Sequence, residues 1–280
     1  MQKNALAIHD ISCIGRCSLT VALPILSSVG IETSVLPTAV LSTHTGGFTG
    51  YTFRDLTDDI EPISTHWKSL GITFDSIYTG YLGSFRQLSL VSRITDEFSH
   101  RDTLVMVDPV MGDHGKLYAN FTESFAAGFR ELCKKADIIT PNLTEAALLL
   151  SQPYKDSGYS KSYIEDIMKR LAETGPEKIV LTGVSFSENS LGCAAYDRAK
   201  NETSFIFDES IPGIYHGTGD VFASVLLAAL LCGFQLPDAA SEAVTFTTAA
   251  IRRTSESGRN PIYGVDFEHG IADFAQNLKS

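Results

Sequence analysis

The chain has 280 residues, with 33 acidic against 22 basic side chains, a formal charge of −11 and 44% hydrophobic residues. That length suits one large α/β domain with a sizeable core; the ordinary composition excludes a disordered chain, and the acidic balance argues against a nucleic-acid or anionic-membrane surface. No apolar run is long enough to span a bilayer, the first residues lack a signal-peptide apolar region, and the five cysteines (Cys13, Cys17, Cys133, Cys193, Cys232) form no CxxC pair, so a cytoplasmic protein with reduced thiols is expected.

Strand and helix signals alternate along the chain. Apolar runs predict strands at 5–9 and 33–41, separated by a helix at 18–29 that Pro24 interrupts. An amphipathic helix at 59–70, closed by Gly71, precedes a strand at 75–79 and a helix at 85–98. Further strands are expected at 103–108, 137–140, 178–182, 191–196 and 204–207, and further helices at 123–134, 144–150, 160–173, 219–231, 237–252 and 267–278. Repeated strand-then-helix order implies right-handed crossovers and a mostly parallel sheet covered on both faces. Close spacing of the later strands leaves room for an antiparallel pair. No linker, repeat or low-complexity tract divides the chain, so residues 1–280 are expected to form a single domain.

The most informative stretch is His216-Gly217-Thr218-Gly219-Asp220, leading into a helix that is apolar on nearly every face. A glycine turn at a helix start points unpaired amides and the positive end of the helix dipole at whatever lies in front of it, and anions bind there. Asp220 has two readings: it caps the helix, or it takes a proton from a hydroxyl while the amides of Gly217, Thr218 and Gly219 hold a phosphoryl group.

A second constellation lies at the carboxyl ends of two strands, where open α/β sheets bind ligands. One strand runs into Asp108-Pro109-Val110-Met111-Gly112-Asp113, the other into Thr140-Pro141-Asn142 with Glu145 three residues on. Asp108, Asp113 and Glu145 with Asn142 make an oxygen-rich set suited to Mg²⁺ bridging to phosphates. Taken one at a time, Asp108 reads as a turn residue and Asn142 with Glu145 as a capping box; their joint placement favours the metal and phosphate reading. There is no GxxxxGK[ST], no GxGxxG after the first strand and no HExxH. The loop 112–117, with two glycines and Lys116, is the candidate lid over the phosphates.

With these segments in view, the sequence resembles the ribokinase-like vitamin kinases, and within them the pyridoxal (pyridoxamine, pyridoxine) kinases. The resemblance is carried by Ala7-Ile8-His9-Asp10, Ser42-Thr43-His44-Thr45-Gly46, Tyr78-Thr79-Gly80-Tyr81-Leu82-Gly83-Ser84, the Asp108–Asp113 and Asn142–Glu145 segments, and Gly217-Thr218-Gly219-Asp220, in the family's order. It implies a ribokinase-like three-layer α/β/α sandwich, MgATP as phosphoryl donor, and transfer to the 5′-hydroxyl of a B6 vitamer, with K⁺ as a further candidate cation and a homodimer as the assembly. By position, Asp220 matches the catalytic base and Gly217, Thr218 and Gly219 the anion hole. Asp108, Asp113, Asn142 and Glu145 match positions around Mg²⁺ and the ATP phosphates, and Thr140 and Thr182 positions near the nucleotide. His44, Thr45 and Tyr81 match the pyridine pocket. Asp10 stands in the first-strand substrate motif where better-known pyridoxal kinases have serine, and His216 resembles the hydroxymethylpyrimidine kinase version of the turn. Hydroxymethylpyrimidine kinase and a non-catalytic pyridoxal-binding protein therefore stay open beside a B6 kinase, while a sugar kinase is disfavoured for want of a lid-domain insertion.

Overall fold

The computed structural model describes residues 2–118 and 121–278. In chain order the elements are β1 (Asn4–Ile14), α1 (Leu19–Ser28), β2 (Glu32–Thr43), β3 (Phe53–Asp55), α2 (Thr57–Ser69), β4 (Ser76–Thr79), α3 (Phe85–Phe98), β5 (Leu104–Val107), β6 (Gly112–Asp113) and β7 (Lys116–Leu117). There follow α4 (Glu123–Cys133), β8 (Ile138–Ile139), α5 (Leu143–Leu149), α6 (Lys161–Glu173), β9 (Lys178–Ser187), β10 (Ser190–Asp197), β11 (Glu202–Glu209), α7 (Thr218–Leu231), α8 (Leu236–Glu256) and α9 (Ile271–Asn277).

Nine strands form one sheet in the order β11-β10-β9-β8-β5-β4-β1-β2-β3. Neighbours from β9 through β2 pair in parallel; β3, β10 and β11 add antiparallel edges. Side chains alternate between two apolar layers, as the period of two requires. Leu6, Ile77, Val105, Val107, Ile139 and Leu181 face the layer built on α2 to α6. Ala5, Tyr78, Met106, Ile138 and Val180 face the layer built on α1, α7, α8 and α9. This is the expected three-layer architecture. None of the described helices is long and apolar enough to cross a membrane.

Three differences from the predicted elements have local causes. The β3 strand and the β6–β7 ribbon are too short to show a period. The first strand runs on to Ile14 past a register shift between His9 and Ile11, so Asp10 lies inside it rather than at its end. Pro24 does not break α1. A helix-interior proline costs about 3 kcal/mol, whereas Val21, Ile25 and Leu26, all fully buried, each return about 1.5–3 kcal/mol.

The connections turn opposite ways from β1 and β4. From β1 the chain passes through α1 to β2 on one side; from β4 it passes through α3 to β5 on the other, and the two helices lie on opposite faces. Their carboxyl ends therefore splay apart into a crevice, the general ligand site of such sheets. His9 and Gly80 line up there. His9 is fully buried, neither ring nitrogen has a hydrogen-bond partner, and burial pushes its pKa down to about 3. Its ring meets Tyr78 edge-on at 4.4 Å. A Cβ on Gly80 would collide with the imidazole. Gly80→Ala should therefore cost about 1–3 kcal/mol in urea unfolding, and combining it with His9→Ala should give a loss smaller than the sum of the two.

Candidate active site

The helix α7 is buried from 221 to 229 on every side, which fixes its first turn against the sheet. Gly217, its N-cap, has φ 75°, and a Cβ there would run into the Arg16 carbonyl, so only glycine fits. Gly219 differs: a Cβ there would meet nothing within 4 Å, and the residue faces open space. The first bonded amide of the ladder is that of Val221, which donates to the Gly217 carbonyl, and no side chain caps the amides before it. They point into the space in front of Gly219.

Asp220 is the acid of this first turn, and the N-cap makes no side-chain bond to it. Burial pushes its pKa up to about 7, with the nearby Ser18 amide opposing the shift and the charge of Asp10 adding to it. A base so placed is half-ionised near neutral pH.

Across the crevice, Asp108 is buried just beyond β5, and burial, with the charges of Glu145 and then Asp220 behind it, holds its pKa far above the carboxylate range. Asn142 and Glu145 form the capping box of α5: the Glu145 amide donates to Asn142 Oδ1 at 2.9 Å, and the Asn142 amide to Glu145 Oε2 at 2.9 Å. The Met111 amide donates to the remaining oxygen, Oε1, at 3.1 Å. Burial still pushes Glu145 up to about 8. Thr140 is buried beside Asp108, its hydroxyl unpartnered, while Thr182 bridges to Asn142 and donates its amide to Pro141.

The expected metal trio is not assembled. Among the described residues no three His, Cys, Asp or Glu side chains stand together to hold a metal. Asp113 is half exposed on the ribbon, beside His114, and both Glu145 oxygens are taken by amides. Asp108 is left as the one carboxylate of the three that is buried and free of amide donors. The loop 112–117 is a tight hairpin with positive φ at His114 and Gly115. It is tied to α5 by Asn142 Nδ2 on the Gly112 carbonyl at 2.9 Å and by the Gly115 amide on Thr144 Oγ1 at 2.9 Å.

The third wall gathers Asp10, His44 and Tyr81. Asp10 is 4% exposed; Ser18 Oγ donates to Oδ1 at 2.6 Å and Ser12 Oγ to Oδ2 at 3.3 Å. The charge of Asp10 reaches both His44 and Tyr81. His44 Nδ1 accepts the Gly46 amide at 3.2 Å, which places the ring proton on Nε2, 2.6 Å from the Ile262 carbonyl. Tyr81 stacks on Phe121 at 5.6 Å. Thr45 is exposed on the adjoining loop. His216, before the turn, packs against His44 with ring centres 5.1 Å apart. Sequence reasoning missed Ser18 and Tyr118; the Tyr118 phenol feels Glu145, Asp113, Asp108 and Asp220 together.

A sequence profile of the phosphomethylpyrimidine kinase family matches residues 36–264. The chain belongs to this family. The kinase is 30% identical over 257 residues to the pyridoxal kinase of Arabidopsis thaliana, an alignment spanning 85% of this chain and 78% of the relative. A Bacteroides thetaiotaomicron protein solved with pyridoxal superposes with a TM-score of 0.93 at 39% identity, covering 100% of this chain and 96% of that one. The pyridoxal kinase of Lactobacillus plantarum gives 0.91 at 30% identity, with 100% and 99% covered. The kinase thus has the ribokinase-like fold of the pyridoxal kinases and is a phosphotransferase acting on an alcohol.

The buried acids have a consequence for stability. Asp220 and Glu145 hold their protons in the folded kinase up to about pH 7 and 8, whereas in the unfolded chain carboxyls ionise near pH 4. The folded state therefore binds more protons, and stability falls as pH rises through that window. Above pH 6.5 the buried, neutral His9 no longer opposes the trend, because histidine is largely neutral in the unfolded chain as well. Urea unfolding is expected to lose about 2 to 3 kcal/mol between pH 6.5 and 8.5.

Proposed function

We propose that the kinase transfers the γ-phosphoryl group of ATP to the 5′-hydroxymethyl group of a B6 vitamer: pyridoxal, pyridoxamine or pyridoxine. The observation that carries this is Asp220, a half-buried carboxylate with its pKa pushed up to about 7, in the first turn of a helix whose start has no side-chain cap and opens to solvent at Gly219. Asp220 takes the proton of the acceptor hydroxyl, whose oxygen bonds to the γ-phosphorus as the bond to the bridging oxygen breaks and ADP leaves. The amides of Gly217, Thr218 and Gly219 hold the charge that builds on the transferred group. Asp10, His44 and Tyr81 seat the ring.

The donor set fits one Mg²⁺ held by Asp108, with phosphate oxygens and water completing its shell; when bound, the ion neutralises phosphate charge. Asn142, Glu145, Thr140 and Thr182 then serve the nucleotide side, Glu145 by holding the backbone. The hairpin 112–117, ending beside Tyr118, is the cover that keeps water from the phosphate. K⁺ as a further cation, a homodimer and a cytoplasmic location belong to the same reading and rest on the family resemblance.

The family profile and His216 give hydroxymethylpyrimidine a place as the second acceptor. Comparing kcat/KM for the three vitamers and hydroxymethylpyrimidine with ATP decides between them: the proposal expects a vitamer to lead, and no phosphorylation of any of them would leave a binding protein. Asp220→Asn should lower kcat at least about a hundredfold with ATP affinity unchanged. The wild-type kcat/KM should rise with pH through about 7 as Asp220 ionises, and that limb should vanish in the variant.

A further inference from the structure

Ser18 touches both acids of the acceptor side. Its hydroxyl donates to Asp10 Oδ1 at 2.6 Å, and its amide lies near enough to the Asp220 carboxylate to favour the ionised form. Its carbonyl accepts the amides of Val21 and Ala22 at 3.0 Å. The residue is buried, with 8% exposure.

Its backbone is unusual for the place it holds. A helix N-cap ordinarily has extended dihedrals and turns its side chain onto the helix's own amides. Ser18 is the N-cap of α1, yet it has φ 54° and ψ −127° and makes no side-chain cap. That conformation is comfortable only for glycine. Both departures serve one result: the hydroxyl is released from α1 to Asp10, while the amide lies near Asp220. The neighbouring residues lie along the same strip, with the Arg16 carbonyl against Gly217 and the Cys17 thiol in the field of both acids. Strain retained at a reacting centre points to a geometric requirement.

We propose that Ser18 is a positioning residue for phosphoryl transfer, fixing the spacing between Asp220 through its amide and Asp10 through its hydroxyl. The proposal rests on the roles given above to those two acids. Ser18→Ala removes the hydroxyl and keeps the amide. It should raise KM for the acceptor alcohol at least about tenfold while KM for ATP and kcat stay within about threefold. Asp10→Asn should do the same, and the double variant should be no worse than either single one. Ser18→Gly relieves the strain but frees the amide; it should lose kcat as well, with Tm no lower than that of Ser18→Ala. The measurements use whichever alcohol of the panel the wild-type kinase turns over, so a failed vitamer assay overturns the substrate assignment alone. Wild-type KM in Ser18→Ala, multiplying losses in the double variant, or a Ser18→Gly kcat equal to that of Ser18→Ala would each overturn the positioning role.

Discussion

Carboxylates crowded into a buried space without a balancing cation are the constraint on which this kinase turns. Asp108, Glu145 and Asp220 are surrounded by amides, hydroxyls and one another, and among the described residues no lysine or arginine acts to lower their pKa. Like charges in a low-dielectric site cannot all ionise, so some stay protonated until something compensates them. The acids differ in what each already holds: both oxygens of Glu145 accept backbone amides, Asp220 has the Ser18 amide nearby, and Asp108 accepts no amide.

The segment that carries Asp10 also packs against the turn at Gly217. β1 passes Asp10 through a register shift, and the chain then doubles back through 16–18 to lie against Gly217. The end of β1 and the start of α7 thus approach so closely that Gly217 has no room for a Cβ.

Much of this was legible in the sequence, because period-two apolar runs and glycine turns report backbone environments that local physics enforces. Gly217 as the turn that opens α7 and Asn142 with Glu145 as a capping box follow from residue type and spacing, whereas Asp10 was singled out only by the family resemblance. The metal trio did not follow. Spacing places Asp108, Asp113 and Glu145 at neighbouring strand ends, but side-chain direction decides ligation, and Asp113 turned outward on a hairpin while Glu145 turned onto amides. Ser18 was hidden for a related reason: serine before an apolar run reads as an ordinary cap, and nothing in the letters discloses a positive φ.

The all-round burial of α7 has a last implication. A helix with no wet face over 221–229 has no side on which polar residues can accumulate by drift, and no room to roll or slide. The amides at its start are thereby held in one place against the sheet, and in the proposed reaction they are the part that stays still while acceptor and nucleotide come to them.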